Sequence, residues 1–416
     1  MKKLKICIVS REYPPETHYG GIGTFTYNLA HGLSSIGHRV DVVAMTHNGN
    51  DYVEKDHGIF IHRISTCNNK FLSINLWKLA KYTLSPFALF YSFLVYKKIS
   101  NLLNNRKYDV IDIPEHIGEG FFLLLFNKIK IPSLLRLYTP WSYIAFRGFE
   151  QKPPFLDYFL IKYVEKFSIK KATLITSPSE NLALITNDFF SLNRNIKIVK
   201  NPLDPNLEGV ECSALNSYKS SIKVIFVGTL TERKGVDIIG KAIPLILKQN
   251  KNIIFCFIGR DTFFTAKNIS MKDYLVSIFQ INNVEKNVIF FDHMSHDKLV
   301  GFYRASDILL APSRYDNSPY SVIEAMKYSV YVITNKLGGI HEYIDESKNG
   351  AILESNTPLC LAKAVLQQTK KINKMKKIEK IVTSKTVIKL CHRNLIARQM
   401  TNLYFEAIRK FKNANI

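Results

Sequence analysis

Short apolar runs alternate with longer amphipathic stretches along almost the whole chain. An apolar run bounded by turn residues and followed by a helical pattern is typical of a β-strand with its returning helix. This alternation predicts an α/β fold with parallel sheets and helices on both faces. The predicted strands of the first half are LKICIV, RVDVVA, IFIHRI, DVIDI, SLLRL, TLIT and IKIV, and those of the second half are KVIFVG, IIFCFIG, VIFF, ILLAPS, VYVIT and AIL.

The pattern breaks once, over residues 199–220, where two prolines interrupt the periodicity. We interpret this segment as a linker. The chain then has two doubly wound, Rossmann-like domains facing across a cleft, with residues 1–200 as the N-terminal domain and 201–385 as the C-terminal domain. Residues 386–416 contain an amphipathic helix, NLIARQMTNLYFEAIRKF, which is predicted to pack back on the N-terminal domain.

Length and cysteine usage agree with two cytoplasmic domains. The chain has 416 residues, 46% of them hydrophobic, which is too many for one ordinary core. Its six cysteines are scattered and form no CxxC pair. We therefore expect reduced thiols in a cytoplasmic protein, without a disulfide framework or a zinc ribbon.

The formal net charge of +23 has three interpretations. The lysines are solvated surface, or they attract an anionic membrane face, or they bind nucleic acid. No nucleic-acid module is recognisable, so no nucleic-acid partner is expected, and no signal peptide is visible. The segment SPFALFYSFLVYKK, residues 85–98, is too short to span a bilayer. We favour a buried helix there. The alternative is a helix in the membrane interface, flanked by Lys78, Lys81, Lys97 and Lys98.

Ligands of open α/β sheets bind beyond the carboxyl ends of strands, so the loops after the predicted strands are the candidate sites. In the first half, Gly20, Gly21 and Gly23 precede or open a helix predicted at about Ile22. Glycines there allow an anion to approach the backbone, although the spacing does not match GxGxxG. Two further loops carry Glu115 with His116, and Tyr138, Thr139 and Trp141. Their polar groups bind a sugar, or they are ordinary loop and core residues.

In the second half, Gly228 ends a strand, and Arg233 and Lys234 follow it. A fork-shaped guanidinium and a lysine ammonium suit a diphosphate, although surface cations before a helix are the plain alternative. Farther along, PSRYDNSPYSVIEAM places Asp316 and Glu324 on either side of a predicted helix start. We expect Ser318 as the N-cap and Pro319 as the first helical residue, with amides near Tyr320 and Ser321 directed at an anion.

These loops together resemble the family 4 glycosyltransferases, which have the GT-B fold. The most specific part is PSRYDNSPYSVIEAMKYSVYVITNKLGGIHEYI, in which Asp316, Glu324 with Ala325, Gly338 with Gly339, and Glu342 match the family's spacing. Further support comes from PPETHYGGIGT, RKG and NPLD. The resemblance implies transfer of a sugar from a nucleotide-sugar donor to an acceptor hydroxyl, with retention of configuration and without a metal or other cofactor.

The resemblance also implies residue roles. Arg233 and Lys234 would neutralise the diphosphate, Glu324 would hold the ribose hydroxyls, and Asp316 would hold the donor sugar. Further donor contacts are expected from Gly20, Gly21, Gly228, Asn317, Ser318, Pro319, Tyr320 and Ser321. The basic charge and the 85–98 segment suggest a lipid-linked or polysaccharide acceptor, in cell-surface polysaccharide or lipopolysaccharide synthesis, with peripheral contact at the inner face of the cytoplasmic membrane.

Three residues depart from the family pattern. Asp316 stands where Glu is commoner, Thr229 where many members carry Arg, and Tyr138 where members commonly carry a His that contacts the donor sugar. Tyr cannot act as a base near neutral pH without a large pKa shift, so His116 is the candidate replacement. Two other functions stay open on sequence grounds. They are a non-catalytic partner subunit that binds nucleotide-sugar, and a nucleotide-sugar epimerase, for which we find no additional acids beyond Glu115 and Glu119.

Overall fold

The computed structural model describes residues 2–16, 20–66, 84–126, 130–149, 153–206, 208–218, 220–372 and 387–414. The chain divides into two compact units. The first comprises residues 1–202 together with 392–416, and the second comprises residues 203–391. Each unit is built on a largely parallel sheet, so the predicted α/β fold class is confirmed.

The first unit contains an eight-stranded sheet in the order β3-β4-β2-β1-β5-β6-β7-β8. Its strands are β1 (Lys5–Val9), β2 (Arg39–Thr46), β3 (Tyr52–Asp56), β4 (Ile59–Ser65), β5 (Val110–Pro114), β6 (Ser133–Arg136), β7 (Leu174–Ser177) and β8 (Ile196–Ile198). The central strands β1 and β5 are almost wholly buried because helices cover both of their faces. All pairs are parallel except β3 with β4, a hairpin edge that the alternating pattern did not predict.

The helices of the first unit are α1 (Gly21–Ser35), α2 (Ser85–Asn105), α3 (Phe121–Leu125), α4 (Trp141–Phe146), α5 (Phe155–Lys171) and α6 (Glu180–Phe190). Helix α2 includes the 85–98 segment. It buries Phe87, Tyr91, Val95 and Ile99, which recur every four residues and belong to the main core of the unit. The favoured interpretation as a buried helix therefore agrees with the packing of this stripe. Phe93, on the outer side of the helix, is 43% exposed, and the alternative of an interfacial helix stays untested. Lys78 and Lys81 lie outside the described residues.

The second unit contains a six-stranded parallel sheet in the order β13-β10-β9-β14-β15-β16, and a small hairpin of β11 with β12. Its strands are β9 (Ile222–Val227), β10 (Ile253–Ile258), β11 (Phe263–Phe264), β12 (Ile269–Ser270), β13 (Val288–Phe291), β14 (Ile308–Ala311), β15 (Tyr331–Thr334) and β16 (Gly350–Ile352). Its helices are α7 (Val236–Leu247), α8 (Met271–Ile281), α9 (His296–Ala305), α10 (Tyr320–Lys327) and α11 (Pro358–Ile372).

The last helix, α12 (Arg393–Asn413), belongs to the first unit, as predicted. It buries Ile396, Met400, Tyr404 and Ala407 along one stripe. Its contact with α1 is close: a Cβ atom added at Gly32 would lie 2.7 Å from the carbonyl oxygen of Arg393. The chain thus returns from the second unit to complete the first.

Five cysteines in the described part of the chain are free thiols, in agreement with the prediction of reduced cysteines, and Cys67 lies outside that part. Within the described residues, no helix is both long and apolar enough to cross a bilayer.

Candidate functional site

Three loops of the second unit meet at one edge of its sheet. Strands β9, β14 and β15 are parallel neighbours, so the loops that follow them all leave from the same edge. These loops carry Arg233 and Lys234, then Asp316 to Ser318, then Gly338 and Gly339. The sequence therefore placed its strongest candidate residues correctly at a common edge.

Lys234 and Asp316 form an ion pair between the first two of these loops. The Nζ atom of Lys234 is hydrogen-bonded to the Oδ2 atom of Asp316, and each side chain keeps about one sixth of its exposure, 17% and 16%. Burial alone would raise the pKa of Asp316, but the positive charges of Lys234 and Arg233 outweigh it and hold that pKa below its ordinary value. Asp316 is therefore a carboxylate at neutral pH, beside two cations.

Backbone and side-chain contacts fix these two cations. The guanidinium of Arg233 donates to the carbonyl oxygen of Tyr315 at 3.1 Å, and the carbonyl of Arg233 accepts from the backbone N–H of Arg314 at 2.7 Å. Arg314 in turn binds Asp237 of α7 through two hydrogen bonds of 2.6 and 2.8 Å. Gly228 lies against the side chain of Lys234: a Cβ atom added at Gly228 would be 3.8 Å from Cε of Lys234.

The third loop is held against Asp316 by its backbone. Asp316 and Gly338 form an isolated parallel bridge, and Gly339 donates its N–H to the carbonyl oxygen of Asp316 at 2.9 Å. Gly338 has a φ of +146°, and a Cβ atom there would lie 2.1 Å from that same oxygen. A glycine is thus required for the two loops to approach each other.

The helix start after Asp316 differs from the sequence prediction. Helix α10 begins at Tyr320, with Pro319 in the N-cap position and in an extended conformation. Ser318 does not cap the helix: its hydroxyl is 2.6 Å from the hydroxyl of Tyr343, a residue of the loop after β15. The amide of Asn317 donates to Oδ1 of Asp316 at 3.1 Å. The prediction of Ser318 as N-cap and Pro319 as the first helical residue is wrong by one position, because the helix begins at Tyr320.

Glu324 lies on the buried side of α10, only 3% exposed. Its Oε1 is 2.8 Å from Nε2 of His296, and its Oε2 accepts from the hydroxyl of Tyr303 at 3.2 Å. Burial lowers the pKa of His296, but the hydrogen bond and the charge of Glu324 outweigh burial and raise it overall. The sequence singled out Glu324 but missed His296, although the position of His296 shortly after strand β13 was a usable signal.

In the first unit, a carboxylate lies at the start of helix α1. Gly20 is the N-cap residue, and the N–H of Gly23 donates to Oε2 of Glu12 at 3.3 Å. A Cβ atom at Gly20 would lie 2.5 Å from that oxygen, whereas one at Gly21 would meet nothing within 4 Å. Glycine at position 20 therefore makes room for Glu12. An anionic ligand at this helix start would have to displace the Glu12 side chain, and phosphate contact at Gly20 and Gly21 stays a prediction.

Tyr138 belongs to a buried polar network of the first unit. Its hydroxyl accepts a hydrogen bond from the guanidinium of Arg136, which is 2% exposed and also pairs with Asp112. Asp112 accepts from the hydroxyl of Tyr404 on α12 at 2.5 Å. Burial raises the pKa of Tyr138, so its hydroxyl stays protonated at neutral pH. Tyr138 acts here as a neutral hydrogen-bonding group, not as a base.

Two buried glutamates order the loops that carry Tyr138 and His116. Glu115 accepts from the backbone N–H groups of Tyr138 and Thr139 at 2.9 and 2.8 Å. Glu165 of α5 accepts from the N–H groups of Ile117, Trp141 and Ser142 and from the hydroxyl of Ser142, at distances of 2.6 to 3.2 Å. The sequence did not single out Glu165, because a glutamate in mid-helix has the local signature of a solvent-exposed position.

His116 lies in the same cluster of loops as Tyr138. Burial, followed by the nearby charge of Arg11, lowers the pKa of His116 to about 3, while a hydrogen bond with the backbone of Thr139 opposes this shift. The imidazole is therefore neutral at pH 7. The structure brings Glu115, His116 and Tyr138 together, as the loop positions suggested. In the second unit it groups Arg233, Lys234 and Asp316, whereas Glu324 contacts His296 and Tyr303.

Within the described residues, the side chains of His31, Asp56 and His57 lie close enough together to hold a metal ion. Hydrogen bonds already link them, since Asp56 accepts from His31 at 2.8 Å and from His57 at 2.6 Å. They lie in the first unit, whereas Asp316 and Glu324 lie in the second.

Comparisons with known proteins agree with this architecture. The sequence profile described as Glycosyltransferase Family 4 matches residues 19–207, and the one described as Glycosyl transferases group 1 matches residues 212–384. An uncharacterized glycosyltransferase of Methanocaldococcus jannaschii is 24% identical over 371 residues, which cover 86% of this chain and 87% of that protein.

Solved structures show the same fold. The catalytic domain of starch synthase IV from Arabidopsis thaliana, bound to ADP and acarbose, superposes with a TM-score of 0.75 at 14% identity, covering 98% of this chain and 100% of that one. The Anabaena protein HepE in complex with UDP gives 0.70 at 16% identity, covering 97% and 100%. The chain therefore belongs to the family 4 glycosyltransferases, which have the GT-B fold.

Proposed function

We propose that this glycosyltransferase transfers a hexosyl or related sugar from a nucleoside-diphosphate sugar to an acceptor hydroxyl, with retention of the anomeric configuration. The observation that carries the proposal is the Lys234–Asp316 pair with Arg233 beside it, at adjoining strand ends. Two cations suit a diphosphate, and an ionised carboxylate suits the hydroxyls of a sugar. HepE and starch synthase IV, which share the fold, were solved with UDP and ADP.

In the proposed reaction, the bond between the anomeric carbon and the diphosphate oxygen breaks, and the leaving diphosphate keeps the electron pair. The acceptor oxygen bonds to the anomeric carbon from the same face, and its proton passes to the departing diphosphate oxygen. Arg233 and Lys234 stabilise the negative charge that develops on the leaving group, and Asp316 orients the sugar. Glu324, with His296 and Tyr303 behind it, holds the ribose hydroxyls.

The proposed transfer reaction needs no metal ion, because the side chains of Arg233 and Lys234 supply the positive charge that a divalent ion would otherwise supply. We expect transfer to continue in the presence of a chelator. The contributions of Gly20, Gly21, Gly228, Asn317, Ser318, Pro319, Tyr320, Ser321, His116 and Tyr138 to donor binding are part of the same proposal.

The proposed acceptor is a lipid-linked or polysaccharide hydroxyl at the cytoplasmic face of a membrane, as in cell-surface polysaccharide or lipopolysaccharide synthesis. The high positive charge of the chain supports this acceptor class. We expect no nucleic-acid partner.

The test is to incubate the full chain with UDP-, GDP- and ADP-sugars and to measure nucleotide release, with and without a membrane lipid extract. Release that depends on the extract supports transfer. Release of an isomerised sugar without an acceptor would instead support an epimerase, and no release with any donor would contradict both.

A second candidate is a subunit that binds nucleotide-sugar without turning it over. Tyr138, which stands where the family commonly has His and is protonated at neutral pH, favours it. The discriminating variant is Tyr138→His. Tight nucleotide binding without turnover in the parent, with activity gained in the variant, would support this candidate. Unchanged or reduced turnover in Tyr138→His would show that Tyr138 is adapted to an active enzyme.

A further inference from the structure

Helix α5 of the first unit exposes a row of large apolar side chains. Phe155, Leu156, Phe159, Leu160 and Tyr163 are 74%, 80%, 49%, 39% and 58% exposed. At about 100° per residue they cover an arc of about 140° on one side of the helix. Single exposed apolar side chains are ordinary, but five on consecutive turns mark a binding surface. We call these five residues the α5 apolar face.

The α5 apolar face continues onto the neighbouring helices. Phe155 packs on Phe159 at 4.5 Å between ring centroids, and Phe159 packs on Tyr158 at 5.2 Å. The Nζ atom of Lys162 lies 5.8 Å from the ring of Tyr158 and 4.3 Å from that of Phe189. Phe189 in turn contacts Phe146 of α4, whose side chain is 65% exposed. Cation–π contacts through Lys162 therefore link helix α5 to aromatic side chains of the neighbouring helices.

The charged side chains at the surface of helix α5 are all positive. Helix α5 carries four lysines in its second half, Lys162, Lys166, Lys170 and Lys171. Its two acidic residues, Asp157 and Glu165, are buried and turned inward. Asp157 accepts hydrogen bonds from the backbone N–H groups of Leu84 and Ser85, and Glu165 accepts one from the backbone N–H of Trp141. No carboxylate of this helix is therefore available to offset the lysines at its surface.

We propose that the α5 apolar face and its lysines dock the protein on the surface of an anionic lipid bilayer. Aromatic and aliphatic side chains from the first turns enter the boundary between headgroups and acyl chains, and the lysines of the last turns contact lipid phosphates. On a surface exposed only to water, the five apolar side chains would forgo the hydrophobic stabilisation that burial in a bilayer gives them. The proposal assigns membrane contact to α5, in place of the 85–98 segment, whose apolar stripe is buried in α2.

Bilayer binding is a property of the protein without donor or acceptor, so its test is independent of the transfer reaction. The full chain is co-sedimented with vesicles of phosphatidylcholine alone and of phosphatidylcholine with 30% phosphatidylglycerol, at low and high salt. We expect binding to the anionic vesicles that weakens at high salt, since surface charges are screened, and much weaker binding to the neutral vesicles.

Two variants separate the apolar and cationic contributions. Phe155→Ser/Leu156→Ser/Phe159→Ser should abolish vesicle binding. Lys166→Gln/Lys170→Gln should weaken it by about 30-fold at low salt, because each well-placed lysine contributes about 1 kcal/mol at an anionic surface. The matched control is Ile281→Ser, in the second unit, which removes a side chain that is also 80% exposed and should bind vesicles like the parent.

Three outcomes would overturn the proposal. They are no sedimentation of the parent with anionic vesicles, full binding by the triple serine variant, or equal loss in the Ile281→Ser control. A fourth would assign the surface to a second copy of the chain: a concentration-dependent dimer in sedimentation velocity that the triple serine variant dissolves, without any binding to vesicles. Thermal unfolding of each variant checks that the exposed substitutions leave the fold intact.

Discussion

Lys234 and Asp316 are 82 positions apart in the sequence, and the ammonium of the first is hydrogen-bonded to the carboxylate of the second. They leave neighbouring parallel strands at the same edge of the sheet. In the absence of a ligand, each ion is the other's partner. Under the proposed function, a diphosphate that enters this site would compete for Lys234, and a sugar hydroxyl would donate to the carboxylate of Asp316 in place of the ammonium.

Removing the ammonium should reduce turnover strongly. In Lys234→Ala we expect kcat for nucleotide release to fall about tenfold to a hundredfold, because a hydrogen bond to a charged group contributes about 1.5–3 kcal/mol. Lys241→Ala, an exposed lysine on α7, is the matched control and should keep the kcat of the parent. A kcat for Lys234→Ala within about twofold of the parent would contradict the role of Lys234 at the leaving group.

Glu324 should act mainly on donor affinity. Glu324→Gln keeps the size of the side chain but replaces the carboxylate proposed to accept hydrogen bonds from the ribose hydroxyls. We therefore expect KM for the donor to rise about tenfold, with a smaller change in kcat. Isothermal titration with the nucleoside diphosphate checks the binding step directly. If affinity for the diphosphate is unchanged while kcat falls, Glu324 acts on the chemistry and not on the ribose.

The same substitution should change the titration of His296. Glu324 raises the pKa of His296 against the effect of burial, so Glu324→Gln should bring that pKa below its ordinary value. The raised pKa also stabilises the parent at acidic pH. This contribution is present below the pKa of unfolded His, about 6.5, and is lost as pH rises through the folded pKa. NMR titration of the His296 imidazole in the parent and in Glu324→Gln measures the two pKa values. If the substitution leaves the pKa of His296 unchanged, Glu324 and His296 do not form an ion pair.

Gly338 should be required for the contact between the loops after β14 and β15. Gly338→Ala adds a methyl group 2.1 Å from the Asp316 carbonyl oxygen at a φ of +146°. We expect a loss of about 2 kcal/mol in stability or more, together with a loss of activity. Gly148→Ala is the control: it has φ of +68° but no atom within 4 Å of the new Cβ, so it should cost only about 1 kcal/mol. Equal losses of stability in both variants would assign the effect to backbone conformation alone.

The fold and the Lys234–Asp316 site were accessible from sequence for the same reason. Apolar runs mark strands, and polar residues just after parallel strands share an edge, so Arg233, Lys234 and Asp316 could be grouped without coordinates. The edge strand β3 was missed because its side chains alternate between partial and full exposure, and the sequence YVEKD contains few apolar residues.

The features that the sequence did not predict depend on contacts between distant parts of the chain. Ser318 has the local signature of an N-cap, yet helix α10 begins one residue later than predicted, and the Ser318 hydroxyl contacts that of Tyr343, 25 residues away. Glu165 resembles a solvated helix residue until its neighbours Ile161, Val164 and Ser168 define the buried side of α5. The exposure of Phe155 and Leu156 is likewise decided by which side of that helix packs on helices α2, α3 and α4. Their apolar character alone would have predicted burial.

The buried glutamates of the first unit should make its stability fall as pH rises. Burial, followed by the proximity of Glu165, raises the pKa of Glu115 to about 8, and burial raises the pKa of Glu165 to about 7, against an ordinary 4.5. Between these values the folded protein holds protons that the unfolded chain has released. The stabilisation is therefore complete below about pH 4.5 and is lost as pH rises toward 8, with a slope of up to about 1.4 kcal/mol per pH unit for each carboxyl.

Urea unfolding of the parent at pH 5, 6, 7 and 8 measures this slope, and Glu115→Gln/Glu165→Gln should flatten it. The double variant starts from lower stability, because an amide NH₂ cannot accept the backbone N–H groups that both carboxylates bind, so the slope and not the intercept is the readout. Glu285→Gln, an exposed glutamate of the second unit, should keep the slope of the parent. A slope in the double variant equal to that of the parent would mean that the hydrogen bonds from Tyr138, Thr139, Trp141 and Ser142 keep both carboxyls ionised, in spite of their burial.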